Sequence, residues 1–137
     1  MAAPKVLVVD DEPHLRVFIA AVFRSAGCET ATASNGSQGL LKAREMRPDL
    51  ISLDLMMPGE GGLRMYRGLR EDEELRAVPV LIVSAVSPQA FGHSLSMLRA
   101  TLPGGLDAPE AFVEKPPDPE RLLNEARALL GGRLPGD

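Results

Sequence analysis

The chain has 137 residues, of which 45% are hydrophobic and 25% charged, with a formal net charge of -4; that length suits one domain with a single core. No run of Lys or Arg forms a phosphate-binding stripe, which argues against direct nucleic-acid binding, and no apolar stretch approaches the ~20 residues that span a bilayer, which excludes membrane insertion. One cysteine, Cys28, leaves no internal disulfide and points to a reducing cytoplasm.

Lys5-Val6-Leu7-Val8-Val9 is a β-branched run without polar interruption, the mark of a strand covered on both faces. It ends in Asp10-Asp11-Glu12-Pro13, where Pro13 suits the first turn of a helix and Asp11 its N-cap. Leu15, Phe18, Val22 and Ala26 give that helix an apolar line until Gly27 stops it. Cys28 to Ala33 is a short second strand, Ser34-Asn35-Gly36 a turn, and Leu40, Ala43 and Met46 the apolar line of a second helix that Arg47-Pro48 ends. The run beginning Leu50-Ile51-Ser52-Leu53 is a third buried strand. It sets Asp54 at the strand's end, before a bend at Pro58-Gly59.

Leu63, Tyr66 and Leu69 mark a third helix, with Arg70 to Arg76 as its solvated end or the loop after it. Pro79 to Ser84 is a fourth strand, apolar until its last residue. Phe91, Leu95, Leu98 and Leu102 keep helical spacing and predict a fourth helix between Pro88 and Pro103. Ala111 to Lys115 is a fifth strand, and Asp118-Pro119 caps a last helix carrying Leu122, Ala126, Leu129 and Leu130. Five strands alternating with five helices across short turns predict right-handed crossovers and a doubly wound α/β fold, a five-stranded parallel sheet with helices on both faces. The domain is expected over residues 1–131, and 132–137 as a disordered tail.

Asp10-Asp11, Asp54, Ser84 and Lys115 all stand at the carboxyl ends of strands and so collect at one edge of one sheet, where such folds bind ligands. Each has an ordinary explanation: Asp11 as a cap, Asp54 as a turn residue, Ser84 as a loop hydroxyl, Lys115 as a solvated charge. Their convergence is harder to explain that way. Two carboxylates 4 Å apart repel by about 4 kcal/mol at an effective dielectric near 20, so three acids at one place need a cation. Lys115 offers one charge, and a hard divalent ion, best Mg²⁺, would offer two more. Beside such an ion Asp54 could attack phosphorus and form an acyl phosphate, with Ser84 and Lys115 contacting phosphoryl oxygens.

These segments, from Lys5 to about Leu130, resemble the receiver domains of two-component response regulators, which have a flavodoxin-like (βα)5 fold. Val8-Val9-Asp10-Asp11-Glu12-Pro13 is similar to the acidic metal-binding turn, Asp49 to Gly59 to the phosphoacceptor strand and loop, Val83-Ser84-Ala85 to the switch-hydroxyl strand, and Phe112-Val113-Glu114-Lys115-Pro116 to the lysine strand. The resemblance implies that Asp54 takes phosphate from a histidine kinase, a phosphotransfer protein or a small phosphodonor. It implies that Asp10, Asp11, Asp54 and the Met56 main-chain carbonyl hold Mg²⁺, and that Lys115-Pro116 is cis. It further implies that Ser84 and the aromatic Phe112 switch the face of helix four, strand five and helix five for an unknown downstream protein or a phosphorylation-dependent dimer. Phe112 reads equally as a plain core aromatic. The 30 residues between Ser84 and Lys115 are more than is usual in that family, and Pro117 stands where an aliphatic or aromatic residue is common. Met56 and Val86, two positions after Asp54 and Ser84, cannot hold an attacking water strongly, so slow dephosphorylation is expected.

The leading expectation is therefore a signalling switch rather than an enzyme acting on other substrates, either standing alone or as part of a longer regulator. A metal-dependent phosphohydrolase of the haloacid-dehalogenase type also uses an aspartyl nucleophile, but its second acid stands where Met56 is. A receiver-like module that is never phosphorylated would not need the full set of acids, hydroxyl and lysine. His14 and His93 are expected at the surface and Cys28 in the core.

Overall fold

Alternate residues of the strands feed two separate cores, one on each face of a single parallel sheet. A computed structural model describes residues 2–57, 61–87, 89–93, 96 and 108–137. The strands are β1 (Lys5–Val9), β2 (Glu29–Ala33), β3 (Leu50–Leu53), β4 (Val80–Ser84) and β5 (Ala111–Glu114), in the order β2-β1-β3-β4-β5. Leu7, Val9, Ile51, Leu53, Val80 and Ile82 face one way, onto α2 (Gly36–Met46) and α3 (Gly61–Glu71) through Ala43, Met65, Tyr66 and Leu69. Val6, Val8, Leu50, Leu81, Val83 and Val113 face the other way, onto α1 (Pro13–Ser25) and α5 (Pro119–Leu129) through Ile19, Val22, Phe23, Leu122 and Ala126. Residues 89–93 and 96 are helical, and these described residues are labelled α4. Burial of both faces explains why β1, β3 and β4 read as unbroken apolar runs: each fully buried Leu, Ile or Val side chain adds roughly 1.5–3 kcal/mol of transfer free energy.

The order makes β1 and β3 neighbours while the chain between them runs out to β2 and back. Where the winding reverses, the loops after β1 and β3 part and leave a crevice at their carboxyl ends. The sequence therefore sets Asp10 and Asp54 on the two sides of that crevice.

Several local expectations are corrected. The N-cap of α1 is Glu12, whose carboxylate accepts from the main-chain N–H of His14 at 3.2 Å and of Leu15 at 2.7 Å. Pro13 occupies the first helical position, which makes residue 12 the cap and leaves Asp11 exposed. The buried stripe of α1 is Ile19, Ala20, Val22 and Phe23, while Phe18 is 39% exposed and Val17 67%. Residues 17–23 are apolar almost throughout, so spacing alone could not orient the helix.

Arg70 is not solvated. Its side chain, 7% exposed, donates to both carboxylate oxygens of Glu110 at 2.7 Å, to the Arg76 and Val78 carbonyls at 2.8 and 3.0 Å, and to the Tyr66 hydroxyl at 3.1 Å. Residues 132–137, expected to be disordered, instead fold back on α1. Leu134 is buried, Gly136 N–H donates to the Ala26 carbonyl at 2.9 Å, and Asp137 pairs with Arg127 at 2.8 Å. Gly27 allows that return with a φ of 92° and with no Cβ to collide with Pro135. Gln89 to His93 agree with the expected fourth helix; Leu95, Leu98 and Leu102, like the Pro58-Gly59 bend, lie outside the described residues.

Candidate phosphoacceptor and metal site

The strand-end residues are not on free loops. Asp10 N–H donates to the Ala33 carbonyl at 3.2 Å, Asp54 N–H to Val9 at 3.0 Å, and Lys115 N–H to Ser84 at 2.9 Å. Each bond continues the parallel ladder one residue past its strand, so the acids and the lysine inherit the rigidity of the sheet. Helix α3 closes on the same place. Gly62 in its first turn lies so near the Asp54 carbonyl and Leu55 Cα that a Cβ there would strike both.

Asp10 and Asp54 are buried, 1% and 2% exposed, and Asp11 is exposed. One carboxylate oxygen from each of the three lies within 4.8 Å of the others. Lys115 Nζ stands 2.9 Å from Asp10 Oδ2 and 3.1 Å from Asp54 Oδ2. Asp54 Oδ2 accepts a hydrogen bond from that ammonium, and Asp54 Oδ1 accepts from Met56 N–H at 3.0 Å. Asp10 Oδ1 accepts from Glu12 N–H at 2.9 Å. The contact of Asp10 Oδ2 with Lys115 is an ion pair outside hydrogen-bond geometry, so among the described residues that buried oxygen accepts no hydrogen bond and has only the ammonium's charge beside it.

Electrostatics follow from this packing. Burial pushes the Asp10 carboxyl above its ordinary 3.8; Lys115 and the Glu12 N–H pull it down without offsetting that cost, and Asp54 adds repulsion. Burial alone would lower the Lys115 pKa, but Asp10 and Asp54 outweigh it and hold the ammonium above its ordinary 10.5. Lys115 is thus firmly charged, yet among the described residues it is the one cation paired with these carboxylates, of which there are three.

Every side chain of that acidic set offers oxygen, the donor a hard divalent cation prefers, and Asp10 Oδ2 is a buried acceptor still lacking a donor. The residues therefore fit the ion expected from the sequence.

The other expected residues fall around this cluster in different ways. Ser84 is buried at the end of β4, where its Oγ accepts from Val86 N–H at 3.3 Å. Phe112 on β5 is half-buried, with its ring centroid 5.6 Å from that of Phe91 at the start of α4. The Met56 side chain is 60% exposed. The Lys115-Pro116 peptide is cis, as expected. His14 and His93 are exposed and Cys28 is buried, also as expected. Two contributors were not legible as such: Glu12, the actual cap, and Arg16, whose Nη1 donates to the Asp10 carbonyl at 2.9 Å. Helical side chains lean toward the amino terminus, so a helix beginning at Pro13 was the signal that Arg16 reaches back to this turn.

The response regulator receiver domain matches residues 6–127. The chain belongs to that family. This receiver is 36% identical to the DNA-binding response regulator MtrA of Mycolicibacterium smegmatis over 126 residues, 92% of this chain and 50% of MtrA. It is 31% identical to protein PilH of Pseudomonas aeruginosa over 128 residues, 93% of this chain and 98% of PilH. The chemotaxis response regulator CheY4 of Vibrio cholerae superposes with a TM-score of 0.79 at 26% identity, covering 94% of this receiver and 100% of that chain. The receiver domain of the sensor histidine kinase PA1611 of P. aeruginosa does so with a TM-score of 0.79 at 25% identity, covering 95% and 99%; it was solved with magnesium coordinated in its active-site cleft. The chain spans about half the length of the MtrA proteins it matches, and DNA binding is in the name of those whole proteins. Among the described residues, no helix is long and apolar enough to cross a membrane.

Proposed function

We propose that Asp54 is the phosphoacceptor of a signalling switch, taking a phosphoryl group in a Mg²⁺-dependent reaction from a histidine kinase, a phosphotransfer protein or a small phosphodonor. The observation that carries this reading is the state of Asp54 itself. It is a carboxylate 2% exposed at the reversal of the sheet, with Oδ2 on Lys115, Oδ1 on Met56 N–H, and two further acids within reach of a common ion.

A carboxylate oxygen of Asp54 attacks phosphorus. The bond from phosphorus to the donor's imidazole nitrogen, or to the oxygen of a small donor, breaks with its electron pair, and an acyl phosphate remains on Asp54. Asp10, Asp11, Asp54 and the Met56 carbonyl would hold Mg²⁺, which when bound offsets negative charge on the phosphoryl oxygens. Lys115 Nζ, already 3.1 Å from Asp54 Oδ2, pairs with one phosphoryl oxygen. The Ser84 hydroxyl donates to another.

That turn of Ser84 frees space beside β4, and Phe112, packed on Phe91, moves with it. The face of α4, β5 and α5 changes for a downstream protein or a second copy of the chain. The receiver acts in this way in the cytoplasm, by protein contact.

Incubation with Mg²⁺ and acetyl phosphate should add one base-labile phosphoryl group by intact mass, and none in EDTA or in Asp54→Asn. An adduct that persists in Asp54→Asn would remove this reading.

A further inference from the structure

Asp10 is fixed by more than the sheet. Its N–H is bonded to Ala33 and its Oδ1 to Glu12 N–H, while its carbonyl accepts from Arg16 Nη1 at 2.9 Å. That carbonyl belongs to the planar peptide joining Asp10 to Asp11, so the bond from Arg16 sets the rotation of the plane that carries both acids. With the Asp10 main chain and Oδ1 held in place, Oδ2 remains buried and outside any hydrogen bond among the described residues, beside the Lys115 ammonium that it shares with Asp54 Oδ2.

We propose that Arg16 is a positioning residue of the metal site, acting through the Asp10–Asp11 peptide to present these two carboxylates to a divalent cation. The proposal rests on the reading that Asp10, Asp11 and Asp54 hold Mg²⁺. Arg16 uses its place one turn into α1, from which a long side chain leans back over the turn that precedes the helix. Glu12 supports the same turn from its other side, by capping the helix from which Arg16 projects.

Two consequences of removing Arg16 have opposite signs, and this makes the role testable. A positive charge near a cation site repels the cation, so if Arg16 acted through charge alone its loss would tighten Mg²⁺ binding. If it acts by orientation, its loss weakens binding, as loss of an outer-shell partner does at metal sites generally.

The experiment is a calorimetric Mg²⁺ titration of the full chain and of Arg16→Met, alongside acetyl phosphate labelling at a series of Mg²⁺ concentrations. The expected result is binding weaker by about tenfold in Arg16→Met, with the Mg²⁺ needed for half-maximal labelling raised by the same factor and the rate at saturating Mg²⁺ changed by less than about twofold. Arg16→Lys, which keeps the charge and can still donate, should recover part of the affinity. Arg16→Gln is too short to reach the carbonyl and should match Arg16→Met, and it stands in if the latter is too unstable to titrate. Binding as tight as wild type, or tighter, in either neutral variant overturns the proposal. Absence of Mg²⁺ binding in the wild type overturns instead the metal-site reading beneath it.

Discussion

At the amino-terminal edge of the sheet, Arg70 and Glu110 form an ion pair in which both charges are used up. Arg70 also holds two carbonyls and the Tyr66 hydroxyl, with its guanidinium carbon 4.9 Å from the Tyr66 ring centroid, and Glu110 Oε1 also accepts from Val80 N–H at 2.7 Å. At the carboxyl-terminal edge, Lys115 stands between Asp10 and Asp54 with Asp11 close by, and Asp10 Oδ2 is left without a donor. The first arrangement is closed: it joins α3, β4 and the start of β5, and each N–H of the Arg70 guanidinium has an acceptor among the described residues. The second is open, with more negative charge than its own cation can balance. A buried ion pair at a sheet edge therefore does not by itself mark a functional site; surplus charge and an unmet acceptor do.

The two edges should respond in opposite ways to losing an acid. Glu110→Ala should cost the most, about 2–3 kcal/mol in urea unfolding, below the usual 3–5 for a fully buried pair because Glu110 is 32% exposed. It should leave acetyl phosphate labelling intact. Asp10→Asn should do the reverse in EDTA, raising the urea midpoint while abolishing tight Mg²⁺ binding. A destabilised Asp10→Asn protein would show that the carboxyl edge is as closed as the other.

Because burial holds the folded Asp10 pKa above its ordinary 3.8, the folded state keeps a proton that the unfolded chain has lost. Stability in EDTA should therefore fall as pH rises from 3.8 through the raised folded value, with no further loss from this group above it. The slope should be smaller in Asp10→Asn. An equal slope in both proteins would assign it to other groups.

Met56 tests what the open edge lacks. Its side chain is exposed and apolar, so it cannot position an attacking water by a strong hydrogen bond. The phosphoryl group should be long-lived, and Met56→Asn should shorten its half-life several-fold by intact mass. Equal decay in the two proteins would refute this.

The smallest effect is expected far from both edges. Arg127 holds the Asp137 carboxyl down to about 2, so its contribution is present above 3.8 and lost as pH falls through about 2. Asp137→Asn should lower the urea midpoint only slightly at neutral pH, since both partners are partly exposed.

The carboxyl edge was legible in the sequence because a strand buried on both faces can place a charge only where it ends, and Asp10, Asp54, Ser84 and Lys115 mark those ends. The winding of the sheet followed from the same strands. The amino edge was not legible. Arg70 sits in a charged segment that reads as solvated, and its partner Glu110 is 40 residues away, where no local pattern can announce it. Asp11 reads as a cap because short acids favour that position, whereas Pro13 at the first helical position gives the cap to Glu12. Leu134 lies among Gly and Pro residues that suggest a frayed end; its burial depends on Gly27 leaving room for Pro135, a contact across more than 100 residues.

The most direct measurement is the location of the phosphoryl group. After incubation with Mg²⁺ and acetyl phosphate, borohydride reduction of the acyl phosphate followed by peptide mapping should show a single altered residue, Asp54. A phosphoryl group found on Ser84 or His14, or none anywhere in the wild-type chain, would contradict the assignment of this edge as a phosphoacceptor site.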